Sequence, residues 1–215
     1  GKLPVSELER VSLMFDIGEV HRARYGRVKR LLDVTLGLAG LVVLALAAPA
    51  VVMGNRLGNR GPLLFRQARV GKRGKPFEIL KFRTMAPVSG GAGEWTSETD
   101  RRITRFGSVL RRTHLDELPQ VWNIVKGDLA IVGPRPEQPH YVAELVEKLP
   151  FYDLRHLVRP GLTGWAQVKF GYAGTEADAL EKLQYEFFYL RRQSLAFDLR
   201  VMGRTVRSVL GRAGR

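Results

Sequence analysis

The hydrophobic pattern has one dominant feature. From Val34 to Met53, twenty consecutive residues carry no charge. A helix of that length, at about 1.5 Å per residue, covers roughly the 30 Å hydrocarbon layer of a bilayer. A buried core helix is the alternative reading, but this run is apolar on all faces, whereas a surface-packed helix shows a stripe. Beyond it the pattern shortens and alternates. Leu63–Phe65 and Phe77–Phe82 read as strands around a basic glycine turn at Gly71–Gly74. Residues 86–100 read as a flexible loop, and 101–112 as a basic helix. Residues 117–126 read as a helix stopped by Gly127, and Asp128–Val132 as a short strand broken at Gly133–Pro136. Helices are expected over 137–149 and 176–193. Ser194 is placed to cap a last helix whose apolar positions Leu195, Leu199, Met202, Val206 and Val209 follow helical spacing.

Charge changes how the apolar run is read. The 215 residues carry a net charge of +14, which points to anionic partners: nucleic acid, lipid headgroups or phosphorylated substrates. Basic residues crowd both flanks of the run. Arg27, Lys29 and Arg30 precede it; Arg56, Arg60, Arg66, Arg69, Lys72, Arg73 and Lys75 follow. Basic flanks belong on the cytoplasmic side, so a single crossing leaves one of them misplaced. A helix that enters, bends and leaves on the same face satisfies both. Pro49, inside the run, supplies the bend by removing a helix hydrogen bond. We therefore expect a re-entrant helix over 28–60 broken at Pro49, with a kinked spanning helix as the alternative. The last helix carries Arg200, Arg204, Arg207 and Arg212 on its other face. A solvated basic face over a core stripe and a helix lying on anionic lipid both stay open.

The chain has no cysteine, so disulfides and thiolate metal sites are excluded. The four histidines lack metal-ligand spacing, and neither a phosphate-binding P-loop nor a dinucleotide fingerprint occurs. The richest chemistry lies in Thr113-His114-Leu115-Asp116-Glu117-Leu118-Pro119. Pro119 suits the first turn of a helix, which puts Asp116 and Glu117 at a helix N-terminus. Helix capping is one reading. The other is a carboxylate kept ionised by the helix end, as a nucleophile or metal ligand requires, with its neighbour displaced toward acid–base work. Lys81 and Arg83 end an apolar strand, in a position to project into a site, and Arg111 and Arg112 sit one turn before the carboxylates. Arg135 lies between Pro134 and Pro136, so its guanidinium is aimed at little entropic cost and suits bidentate phosphate binding. Arg159-Pro160-Gly161-Leu162-Thr163-Gly164 reads as a tight turn. An oxygen-only Mg²⁺ site fits a carboxylate pair facing phosphates.

In order along the chain stand Lys-Arg-Leu-Leu-Asp at 29–33, Phe-Arg-Gln-Ala-Arg-Val-Gly at 65–71 and Leu-Lys-Phe-Arg-Thr-Met at 80–85. Leu-Asp-Glu-Leu-Pro-Gln-Val-Trp-Asn at 115–123, Lys-Gly-Asp at 126–128, Val-Gly-Pro-Arg-Pro at 132–136 and Arg-Pro-Gly-Leu-Thr-Gly-Trp-Ala-Gln-Val at 159–168 complete the set. Together they resemble the monotopic phosphoglycosyl transferases, the bacterial sugar transferase family, from about Lys29 to Leu210. The resemblance implies a mixed α/β, helix-rich fold: a basic lead-in over 1–27, a re-entrant membrane helix over 28–60, and a catalytic domain over 61–215 with amphipathic membrane-surface helices. It implies transfer of a sugar 1-phosphate from a nucleotide-diphosphate sugar, UDP-linked by the family's habit, to polyprenyl phosphate. Asp116 resembles the family's nucleophile, forming an aspartyl phosphosugar and expelling nucleoside monophosphate. Glu117 then assists as base for the acceptor phosphate or in the metal environment. Mg²⁺ is the implied metal, near Asp116, and Lys81, Arg111 and Arg135 match phosphate-binding positions.

Lys169-Phe170-Gly171 stands where the family often has Asn-Gly-Arg, and Glu186 where many members have Asp, in a part tied to sugar and nucleotide choice. Exopolysaccharide-system members resemble this chain most. Those are often longer, with extra N-terminal membrane helices, so Gly1 is expected to begin the catalytic portion of such a protein. The implied location is the cytoplasmic face of the bacterial inner membrane, with anionic lipids as partners; a homodimer is left open. The competing class is a basic, membrane-tethered nucleic-acid or scaffold protein. No helix-turn-helix, zinc or aromatic-stacking signature accompanies the charge, so no nucleic acid is expected as partner.

Overall fold

A computed structural model describes residues 1–3, 19–59, 61–86, 102–170 and 176–212. The loop expected over 86–100, Ala86 apart, lies outside the described residues, as do Arg60 and the side chain of Arg212. The architecture is mixed α/β and helix-rich. The first helix, α1, runs over Glu19–Gly58 and includes Pro49. The helix thus begins well before residue 28. The stretch Arg24–Gly58 is long and apolar enough to cross a membrane, and only about a tenth of its most apolar window is buried. Leu46 is 78% exposed and Val42 61%, which rules out the buried core helix.

A hairpin follows. Strands β1 (Leu64–Val70) and β2 (Pro76–Phe82) pair antiparallel, with Phe65 opposite Lys81 and Val70 opposite Pro76. The tight connection uses a 3-10 turn at Lys72–Gly74, where Arg73 has φ 59° and Gly74 φ 72°. Helix α2 (Arg105–Arg112) is capped by the Thr104 hydroxyl, which accepts from the Gly107 amide. A 3-10 turn at Leu115–Glu117 leads into α3 (Gln120–Lys126), which ends at Gly127 in a left-handed conformation. The helix expected from 117 therefore starts three residues later, with Pro119 as its N-cap.

Strand β3 (Ala130–Val132) pairs in parallel with β4 (Gly161–Thr163). This corrects the reading of Pro160-Gly161 as a tight turn. Gly161 opens a strand, and a side chain there would strike the Gly133 backbone amide at 2.1 Å. Helix α4 (Pro139–Lys148), a 3-10 stretch at Tyr152–Leu157, and helices α5 (Trp165–Lys169), α6 (Glu176–Arg191) and α7 (Leu195–Arg212) complete the chain. The main core joins Val132, Leu154, Trp165, Leu183, Phe187, Leu190, Phe197 and Val201. A smaller cluster of Val51, Phe82 and Leu110 seats α1 on β2 and α2.

Helix α7 starts as expected, with the Ser194 hydroxyl accepting from the Phe197 amide. Its core side is different. Phe197 and Val201 are buried, while Leu199 and Val206 are exposed together with Arg200, Arg204 and Arg207. That excludes a core stripe through Leu199 and Val206 and leaves apolar and basic groups on one open surface.

Candidate active site

Strand β2, the turn before α3 and the segment after β3 bring three of the expected residues together. Lys81 Nζ lies 2.7 Å from Glu117 Oε1, and Arg135 Nη2 lies 3.4 Å from the same oxygen. The alignment of β2 against α3 depends on Asn123, a buried amide that the sequence reading passed over. Its Oδ1 accepts from the Leu80 amide at 3.1 Å, and its Nδ2 donates to the Glu78 carbonyl at 2.7 Å. One side chain thus serves as a strand partner for β2 and fixes Lys81 beside Glu117. A polar residue inside Gln-Val-Trp-Asn-Ile-Val was the available signal, since a buried amide requires partners.

His114, in the left-handed region at φ 56°, turns the chain sharply between α2 and the carboxylates. Asp116 and Glu117 then face different surroundings. Burial pushes both carboxyls up. At Glu117 the Lys81 and Arg135 cations override burial and hold it at about 2. At Asp116 burial prevails, reinforced by the Glu117 charge and opposed by Lys81, Arg111 and His114, so its carboxyl is raised. Asp116 has no hydrogen bond or ion pair among the described residues. The pair is therefore asymmetric: one carboxylate is locked to cations, and the other is free and electrostatically unsatisfied.

Arg111 lies near enough to bias Asp116 and donates from Nε to the Thr84 hydroxyl at 2.9 Å. Arg112 is exposed. Arg83 departs from the expectation that it projects into the site with Lys81. Its guanidinium is buried and donates to the carbonyls of Pro62, Met85 and Asn59, tying the end of β2 to the end of α1. The strand ends at Phe82, so the alternation that would align Arg83 with Lys81 stops there.

No cluster of three His, Asp or Glu side chains fit to hold a metal occurs among the described residues. The free Asp116 carboxylate still suits a hard cation of the magnesium type, which is commonly held by one or two carboxylates plus substrate phosphates and water. Glu186 is in a buried ion pair with Arg155 whose N···O distance is 2.7 Å.

The sequence matches the family model for bacterial sugar transferase over residues 24–212. Similar curated proteins include the UDP-N-acetylgalactosamine-undecaprenyl-phosphate N-acetylgalactosaminephosphotransferase of Aeromonas hydrophila. It is 40% identical over 190 residues, covering 86% of this chain and 44% of that protein. The UDP-glucose:undecaprenyl-phosphate glucose-1-phosphate transferase of Xanthomonas campestris pv. campestris is 38% identical over 217 residues, 98% of this chain and 43% of that protein. A protein of the same description from Caulobacter vibrioides is 39% identical over 199 residues, 90% of this chain and 73% of that protein. The chain spans less than half the length of the first two.

Proposed function

The chain belongs to the bacterial sugar transferase family, and on that premise we propose that it transfers a sugar 1-phosphate from a UDP-sugar to a polyprenyl phosphate at a membrane. The observation that carries the reading is the free Asp116 carboxylate beside a carboxylate–cation cluster of Lys81, Glu117 and Arg135. An Asp116 oxygen attacks the phosphorus nearest the sugar. The bond from that phosphorus to the bridging oxygen breaks, and the nucleoside monophosphate leaves with the electron pair. A polyprenyl phosphate oxygen then attacks the same phosphorus, breaks the acyl-phosphate bond and regenerates the carboxylate.

A carboxylate approaches a diphosphate slowly unless cations offset the repulsion. Lys81, Arg111 and Arg135 supply fixed positive charge where it is needed. Burial of Asp116 raises its basicity, which opposes ionisation but makes the carboxylate, once ionised, a stronger nucleophile. Mg²⁺, held by Asp116 together with phosphate oxygens, would supply Lewis-acid polarisation. Glu117, held at about 2, is a poor proton acceptor at neutral pH; its task in this account is to orient Lys81 and Arg135.

Re-entrant entry of α1 at the cytoplasmic face of the inner membrane is part of the proposal. Its support is that both arms of α1 dock on one domain. Near the start, Lys29 Nζ lies 2.9 Å from Asp198, Arg30 donates to the Ile124 and Val125 carbonyls, and Asp33 accepts from the Ile131 amide. Near the end, Val51 joins the Phe82 and Leu110 cluster and Asn59 donates to the Arg83 carbonyl. Between the arms lie Val42, Val43 and Leu46, all exposed. Proline at 49 leaves the Ala45 carbonyl without its helical donor, which permits a bend there. The open face of α7, with Leu199, Val206 and its arginines, suits anionic headgroups.

The test is a panel of UDP-glucose, UDP-galactose and UDP-N-acetylgalactosamine with undecaprenyl phosphate and Mg²⁺, read as released UMP. Lipid-dependent UMP release with one sugar supports the reading, and no release with any nucleotide sugar sinks it.

A further inference from the structure

Two arginines outside the mechanism hold the backbone of the segment that carries Arg135. Four successive carbonyls there each have a donor. Pro134 O accepts from the Gly161 amide at 2.8 Å, and Glu137 O from the Val70 amide at 2.9 Å. Between them, Arg135 O accepts from Arg155 Nη2 at 2.7 Å, and Pro136 O from Arg69 Nη1 at 3.1 Å. Pro134 and Pro136 have no N–H and fix φ, so this segment is restrained by its own rings and by donors from β1, β4 and the Tyr152–Leu157 stretch.

Neither arginine is a free surface charge. Arg155 is 3% exposed and donates from Nε and Nη2 to the two Glu186 oxygens at 2.8 and 2.7 Å, and from Nη1 to the Tyr152 hydroxyl at 2.7 Å. Arg69 donates to Gln67 Oε1 at 2.6 Å and lies 3.7 Å from Glu137, which also pairs with Lys182. A buried ion pair is a weak source of net stability, because desolvation offsets its Coulomb gain. Its better-attested use is to fix geometry, and here the geometry fixed is a donor aimed at the Arg135 carbonyl.

We infer that Arg155 and Arg69 are positioning residues for Arg135, clamping its backbone so that the guanidinium stays on Glu117 and on the phosphates of the nucleotide sugar. Glu186 acts through Arg155 by holding two of its donors. This inference rests on the reaction proposed above. It predicts that the clamp matters for the nucleotide sugar and not for the lipid, and that its effect runs through the Arg135 side chain.

The experiment uses the full chain in nanodiscs and measures KM for both substrates. Arg155→Lys and Arg69→Lys are made alone and in an Arg135→Ala background. Lysine keeps the charge in each case but cannot reach every partner of the arginine fork. Each variant alone is expected to raise KM for the nucleotide sugar about tenfold, the equivalent of a lost charge-assisted hydrogen bond, with KM for polyprenyl phosphate unmoved. In the Arg135→Ala background the same changes should alter KM less than about twofold, because contacts acting through one group are not additive. Equal factors in both backgrounds, or equal rises for both substrates, overturn the clamp and leave a merely structural role. If Arg155→Lys melts below the assay temperature, Arg69→Lys decides alone, since its hairpin does not depend on the buried pair. A native chain with no transfer would overturn the reaction itself, which additive factors in an active chain would not.

Discussion

Lys81→Met removes the nearer of the two cations on Glu117. The magnitude follows from the electrostatics of that carboxyl, which the fold lowers from 4.5 to about 2. That difference converts to roughly 3 kcal/mol at 1.36 kcal/mol per pKa unit. Lys81 at 2.7 Å holds a larger part than Arg135 at 3.4 Å. About a fifth of each side chain of the Lys81–Glu117 pair is exposed, so solvent screening reduces the figure. We expect Lys81→Met to destabilise the protein by roughly 2 kcal/mol at pH 7, or a fall of about 4–8 °C in Tm for a chain of this size. Because the folded pKa of Glu117 lies below its unfolded value, this stabilisation is complete above pH 4.5 and is lost as pH falls toward 2. The Lys81→Met deficit should shrink over the same window. The assay is thermal unfolding in detergent of the native chain, Lys81→Met, Glu117→Gln and the double variant. In the Glu117→Gln background the deficit should nearly vanish, since no charged carboxylate is left stranded. An equal deficit in both backgrounds would refute the reasoning and assign the effect of Lys81 to packing.

Asp116 should behave in the opposite sense: its folded pKa is raised, so its ionised form costs stability at neutral pH, and Asp116→Asn should raise Tm at pH 7 but not near pH 4, as melts at the two pH values will show. Arg135→Ala should cut kcat/KM for the nucleotide sugar by about a hundredfold or more, and Arg135→Lys should not restore it, while exposed Arg66→Ala changes little. Because the chain has no cysteine, Arg27→Cys and Leu57→Cys give single labelling sites; both should react from the cytoplasmic side in membrane vesicles, and opposite-side labelling would mean a spanning α1. Pro49→Ala should weaken the same-side arrangement by restoring a helical hydrogen bond at the bend.

Local features were readable from the chain. The alternation in Phe77–Phe82, the Ser194 cap and the length of the apolar run needed only neighbours in sequence, and the structure contains each element. The Asp116–Glu117 pair and the cations Lys81 and Arg135 were also identifiable by residue type. What could not be read depended on partners far along the chain. Lys29 and Arg30 were legible as a basic flank, but not their contacts, which lie 169 and 94 residues away. Pro160-Gly161 has turn chemistry, but Gly133 approaches it so closely that it forms a parallel strand instead. Arg155, within Asp-Leu-Arg-His-Leu, looks like any surface arginine until Glu186 of α6 is placed against it. Asn123 likewise gains its meaning only when β2 lies alongside α3.

The covalent step on Asp116 is the central claim, and intact-protein mass spectrometry addresses it without the lipid. The protein mixed with its UDP-sugar and Mg²⁺, and no polyprenyl phosphate, should gain the mass of one sugar phosphate and release one UMP. Adding polyprenyl phosphate should then discharge the adduct, and Asp116→Asn should show neither adduct nor turnover. An active Asp116→Asn chain, or UMP release that begins only when both substrates are bound, would contradict the account.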